Sequence, residues 1–157
     1  MPKYSGAMTK SDTLAQATRF HGHLGPWLVL GLKAGMHARR ELKASPFELT
    51  ARVLCPGRPP CSCFVDGVQY GSGCTMGKGN IIHVPASGCR VEFVRRAARS
   101  SPGHRRDLPA ARLIVELRPE VRAELSDDET AGWAAANRFG KSLYRRSFAS
   151  LFNIIRR

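Results

Sequence analysis

The stretch that decides the fold is CSCFVDGVQYGSGCTMGKGN, Cys61 to Asn80. Its second half holds the glycines, lysine and threonine of a phosphate-cradling loop. That loop needs G-x-x-x-x-G-K-[ST], so that backbone N–H groups close on phosphate and the final hydroxyl meets magnesium. Here only three residues separate Gly73 from Gly77, and Gly79 stands where the hydroxyl belongs. No run of β-branched residues precedes it. The segment is therefore read as a tight turn in which glycine supplies a positive φ. It follows a short helix over CSCFVDGVQYG, ended by Gly71 or Gly73.

On either side the pattern turns to strands. FELTARVLC, Phe47 to Cys55, alternates well enough for one, and PGRPP breaks it. NIIHV reads as a second, CRVEFV (Cys89 to Val94) as a third, and LIVELRP from Leu113 as a fourth. Further out lie helices. Ser11 or Asp12 caps one through TLAQATRF. Pro26 suits the first turn of another, WLVLGLKAGMHARREL, about Trp27 to Leu42. In it Leu28, Leu32 and Met36 recur every four residues, and Gly31 and Gly35 leave a smooth face for a close contact. Ser126 with Glu129 reads as a capping box opening a helix from Asp127 to about Arg145. Phe148, Leu151, Phe152 and Ile155 follow at helical spacing and read as core packing.

The order is helix, helix, strand, helix, three strands, helix. It predicts an α+β fold with a mixed, mostly antiparallel sheet of about four strands flanked by helices. A chain of 157 residues is expected to be one domain, with its core at about 13–118 and a C-terminal helical segment at about 126–157. No stretch approaches the apolar length of a membrane span. The N-terminus lacks a secretory h-region, so a cytoplasmic location is expected.

The formal net charge is +13. The densest run, RRAARSSPGHRRDLPAAR, is broken by prolines and a glycine, reads as a loop, and has no interleaved aromatics. No nucleic-acid motif accompanies it; the charge either draws in an anionic substrate or simply decorates a solvated surface.

Residues able to bind a metal fall at element ends. His21 and His23 sit in FHGHLGP before a helix, and Cys61 and Cys63 start the next one. Asp66 lies one turn beyond Cys63, and Cys74 lies in the glycine turn. There are five cysteines, an odd number in a chain without a leader, which favours metal or thiol chemistry over a disulfide framework. Imidazole with thiolate favours zinc or a similar transition metal. Two positions apart on a helix, Cys61 and Cys63 diverge by about 200°. One of them is expected as a ligand, and Cys63 is better placed with Asp66.

Three pieces, FHGHLGPWLVLGLKAG, CSCFVDGVQYGSGCTMGKGN and the terminal LFNI, together resemble the FmdE-like family of formylmethanofuran dehydrogenase subunits. The family pattern runs H-G-H-x-C-P-G, then a cysteine shortly before D-G-I-Q, then T-G-C-T-x-G-K-G-N. The resemblance implies an α+β domain similar in topology to one domain of glyceraldehyde-3-phosphate dehydrogenase, often a homodimer. It also implies a metal, commonly zinc, near the histidine and cysteine motifs. The matching residues are His21, His23, Cys63, Asp66 and Cys74. One-carbon metabolism, of formylmethanofuran or pterin type, is the implied setting, beside a molybdopterin enzyme.

On that reading His21, His23, Cys63 and Cys74 are metal ligands. Asp66 orients a histidine or acts as a base, and Lys78 meets a small anionic substrate. The alternatives are a non-catalytic metal- or partner-binding module, and a thiol redox protein pairing Cys61 or Cys63 with Cys74, which expects a low thiol pKa. Two departures stand out. Gly25 replaces a cysteine of the family pattern, and no cysteine follows Cys89, so a four-cysteine ribbon is not expected.

Overall fold

A computed structural model describes residues 9–96, 109–128 and 132–156. Five strands form one open sheet: β1 (Leu49–Cys55), β2 (Ile81–Pro85), β3 (Arg90–Arg95), β4 (Ala111–Leu117) and β5 (Phe152–Arg156). Their spatial order is β2-β1-β3-β4-β5. β1 and β2 run parallel, with Ala51 opposite Ile81, and the other neighbours are antiparallel. The α+β expectation therefore holds, with one strand more than the four read from the sequence.

Helices α1 (Lys10–His21), α2 (Pro26–Leu42) and α3 (Cys63–Ser72) precede and interrupt the sheet. α2 is buried on nearly every side, from Trp27 to Leu42. A helix apolar all round belongs inside a protein, and α2 packs on α3, on β3 and β4, and on a later helix. Alternate residues of β1 (Leu49, Ala51, Val53 and Cys55) are buried in the core. The smooth face read from Gly31 and Gly35 meets a matching one on α3. A Cβ at Gly31 would lie 2.1 Å from the Phe64 carbonyl oxygen, and one at Gly67 would lie 2.2 Å from that of Leu28. The two helix backbones touch.

On the other sheet face Glu92 is ringed by Arg52, Arg90 and Arg112 at 3.6, 3.5 and 3.1 Å. Part of the basic excess is thus spent on one nearly buried carboxylate. Residues 97–108, most of the densest basic run, lie outside the described residues.

Three local readings change. α1 is capped by Thr9, not Ser11 or Asp12. Asp12 is instead the third helical residue, and its carboxylate accepts from the Thr9 N–H in a full capping box. The helix expected from Asp127 to Arg145 is two helices, α4 (Pro119–Asp128) and α5 (Gly132–Arg145). Ser126 lies at the end of α4, and Glu129 of the expected capping box lies outside the described residues. The signal passed over was Pro119, a helix-opening residue. Finally, the helical spacing after Ser147 carries only one turn, α6 (Phe148–Leu151), before β5 begins. The free edge of β4 and the β-branched pair Ile154–Ile155 outweigh the helical pattern. Leu151 and Phe152 are core residues as expected, whereas Ile155 is exposed.

Lys33 joins α2 to the end of α5. Its ammonium donates to the carbonyls of Tyr144 (2.9 Å) and Arg146 (2.6 Å), groups that a helix C-terminus leaves without internal partners. Burial, with Lys10 and Arg146 nearby, lowers its pKa to about 8, so the cation still predominates at neutral pH. Lys33→Met is expected to cost about 1.5–3 kcal/mol, the range for hydrogen bonds to a charged group. Urea unfolding of the variant beside the native chain measures it.

Candidate metal centre

The segment FHGHLGP ends one helix and starts the next within four residues. Gly22 caps α1 at φ 105°, a left-handed conformation that glycine adopts without strain. Gly25 is the N-cap of α2, and Pro26 opens it. His21 therefore sits on the last turn of α1 and His23 in the link. Their rings lie 4.5 Å apart. Cys63 is the first residue of α3, and Asp66 follows one turn later.

The packing of α1 on α3 brings these ends together. Donor atoms of His21, His23 and Cys63 all lie within 4.8 Å of one another. His21 Nδ1–H donates to Asp66 Oδ2 at 2.6 Å; in the neutral ring this leaves the lone pair on Nε2. That Nε2 is buried without a partner in the described structure. Asp66 is held in turn: Gln69 donates to its Oδ1 at 3.4 Å, and the Gln69 side-chain oxygen accepts from the Met76 N–H at 3.1 Å. The glycine turn thus braces the carboxylate through Gln69.

Electrostatics prepare two of the groups differently. Burial, and then the neighbouring His21, lower the pKa of His23, so its ring is neutral at pH 7. Burial, and then the Asp66 carboxylate, push the Cys63 thiol up. Burial likewise raises Cys74. The low thiol pKa expected for a redox protein is absent from both.

The remaining sequence-predicted residues stand elsewhere. Cys74 is fully buried, with its thiol directed to the Leu49 carbonyl at 3.4 Å. Lys78 donates to Thr75 Oγ1 at 3.0 Å and lies over the Phe47 ring. Both follow the C-terminal end of α3, whereas Cys63 starts it, and a ten-residue helix is about 15 Å long. His21, His23, Cys63 and Asp66 are gathered; Cys74 and Lys78 are not. Cys61 is buried in the turn before α3, where the Arg122 guanidinium reaches its sulfur at 3.8 Å.

One residue of this region escaped the sequence reading. Trp133, in the first turn of α5, sets its indole edge-on to His23, with ring centroids 4.5 Å apart. Nothing local in the sequence marks it, because about 110 residues separate the two. Gly25 also acquires a meaning: a Cβ there would lie 3.2 Å from His23 Nε2. A larger residue would crowd that nitrogen.

The family model described as FmdE, Molybdenum formylmethanofuran dehydrogenase operon, matches residues 20–153. The chain is also 33% identical over 90 residues to a protein of Archaeoglobus fulgidus described as a probable S-adenosyl-L-methionine-binding protein. That match covers 53% of this chain and 23% of the relative, so the chain spans under a quarter of that protein's length.

Proposed function

This chain belongs to the FmdE family, and we propose that His21, His23 and Cys63 hold a transition metal, zinc by the character of the donors. Asp66 is the carboxylate that orients His21. The observation that carries this reading is the His21 Nε2 atom, buried and unpartnered beside two further donors, on a ring whose other nitrogen is committed to a carboxylate. Outer carboxylates of this kind set the tautomer of metal-binding histidines. Two imidazoles and one thiolate match the donor chemistry of zinc.

Three donors favour a centre that accepts a further ligand over a closed four-ligand structural site. The role most in keeping with the family description is an enzyme or accessory subunit in one-carbon metabolism, of formylmethanofuran or pterin type. Partnership with a molybdenum enzyme, or with a second copy of this chain, belongs to the same proposal. A bound zinc ion would supply Lewis-acid polarisation of a substrate oxygen. The chain supplies the rest: Asp66 holds the His21 proton at Nδ1, and Gln69 steadies Asp66. A non-catalytic metal-binding module is the second reading, and a site saturated by protein donors would favour it. Among described residues no helix is long and apolar enough to cross a membrane.

The test is a titration of metal-free protein with zinc. Near-stoichiometric binding is expected, with release of the Cys63 thiol proton at pH 7. The sign follows from two of the side chains. His23 is already neutral and releases nothing, whereas the Cys63 thiol, raised above its usual value, must lose its proton. Affinity should therefore rise about tenfold per pH unit from about 6.5 to 8. Calorimetry in buffers of differing ionisation enthalpy reads the proton count. Absence of tight binding overturns the proposal, and a pH-independent affinity overturns the thiolate assignment.

A further inference from the structure

We infer that the cavity beside His23 and Cys63 is a slot for a flat, largely apolar ring whose own donor atom faces the metal cluster. This rests on the metal-centre reading above. The cavity has a volume of about 300 Å³, at the small end for ligand sites. It is matched to a compact ring system rather than to a dinucleotide.

Its lining sets the chemistry. His23 and Cys63 stand at the cluster side, and Trp27, Trp133, Pro59 and Pro60 contribute to the apolar walls. No lysine, arginine, aspartate or glutamate is among the described lining residues. In a chain of net charge +13 that is selective. A charged substrate tail finds partners on the surface, whereas the described walls favour an apolar part in the slot. Indole and proline rings present flat apolar faces, and aromatic ligands gain from offset or edge-on contact with indoles. Trp133 already makes such an edge contact with His23.

Hydroxamates give a clean test, because the same chelating group can carry different tails. Acetohydroxamate probes the metal alone, benzohydroxamate adds a flat ring, and cyclohexanecarbohydroxamate adds a puckered ring of the same carbon count. Each is titrated into the zinc-loaded full chain and followed by calorimetry and tryptophan fluorescence. Benzohydroxamate is expected to bind about tenfold tighter than acetohydroxamate, in line with the gain per buried atom of small ligands. It should also bind several-fold tighter than the cyclohexane analogue. Trp133→Ala, at a residue 72% exposed and so safe for folding, should bring the benzo-to-aceto ratio below about three. Ala136→Trp, which fills the cavity from α5, should do the same. Equal affinities for all three hydroxamates overturn the slot and leave the metal centre standing. Equal affinities for the two ringed compounds overturn its preference for flat rings. If none binds to protein that has taken up zinc, the slot falls. If zinc itself does not bind, the failure lies in the metal reading.

Discussion

Gly67→Ala is expected to abolish stable folding, although it adds a single methyl group. The new Cβ would lie 2.2 Å from the Leu28 carbonyl oxygen and 2.6 Å from the Leu32 nitrogen. Both are backbone atoms of α2 and cannot rotate away. The contact is reciprocal. A Cβ at Gly31 would meet the Phe64 carbonyl at 2.1 Å, one at Gly35 the Ser72 nitrogen at 2.5 Å, and one at Gly71 the Leu32 carbonyl at 2.4 Å. Four glycines, two on each helix, therefore set one helix crossing. Relief requires α2 and α3 to separate by about an ångström or more. α2 has no room to move, because its other faces bear on the sheet and on α5, and protein interiors are packed like crystals. Overpacking costs about 1–3 kcal/mol where side chains can adjust. Here only backbone can adjust, so a loss above about 4 kcal/mol is expected, against a typical total of about 5–15 kcal/mol. Gly77→Ala is the control: nothing lies within 4 Å of its Cβ position, and its effect should stay within about 1 kcal/mol. Thermal unfolding of both variants decides the matter. A cooperative transition for Gly67→Ala close to the native temperature would show that the helices are not in backbone contact.

That crossing was half legible in the sequence. Gly31 and Gly35 announced a smooth face on α2, and the spacing of Gly67 and Gly71 on α3 is the same signal. Pairing the two needed coordinates, since either face could have met a strand. α2 itself was plain, because a run such as WLVLGLKAG between a proline and a pair of arginines leaves little choice. β5 was hidden for a physical reason. FNII has no strand pattern strong enough to override helical spacing by itself, and it becomes a strand because β4 offers an unpaired edge. α4 was missed because SDDE looked like a helix start, whereas Pro119 held that role.

The candidate metal residues show the same division. FHGHLGP and CSCFVDG put His21, His23, Cys63 and Asp66 at element ends, and the fold brings those ends together. Cys74 entered the set through the motif that carries it. Yet the sequence held the counter-argument: a helix of about ten residues between Cys63 and Cys74 holds their backbones about 15 Å apart. Trp133 could not have been found, because its place beside His23 depends on how α5 packs across α2.

Cys63→Ser is therefore expected to lose zinc, and Cys74→Ser to keep it. The first removes the one sulfur among the three gathered donors. Zinc sites of four ligands bind with about 10–16 kcal/mol in total, so one thiolate accounts for roughly a hundredfold in affinity or more. Cys74→Ser changes a thiol directed at the Leu49 carbonyl, in a residue whose N–H donates to the Ser72 hydroxyl. A serine hydroxyl can donate to the same carbonyl, so both fold and metal should persist. Asp66→Asn falls between them. It keeps the shape but can turn an N–H toward the His21 ring, favouring the tautomer that carries its proton on Nε2. Loss of such an outer partner typically costs about 10–100-fold in metal affinity. Metal content after dialysis, with unfolding curves to confirm each fold, ranks the three variants. The ranking Cys63→Ser worst, Asp66→Asn intermediate, Cys74→Ser unchanged is what the geometry requires. If Cys74→Ser lost zinc while remaining folded, the glycine turn would have to swing toward the histidines when metal binds. Gln69 and Met76, which now tie that turn to Asp66, would then be holding an open form of the site.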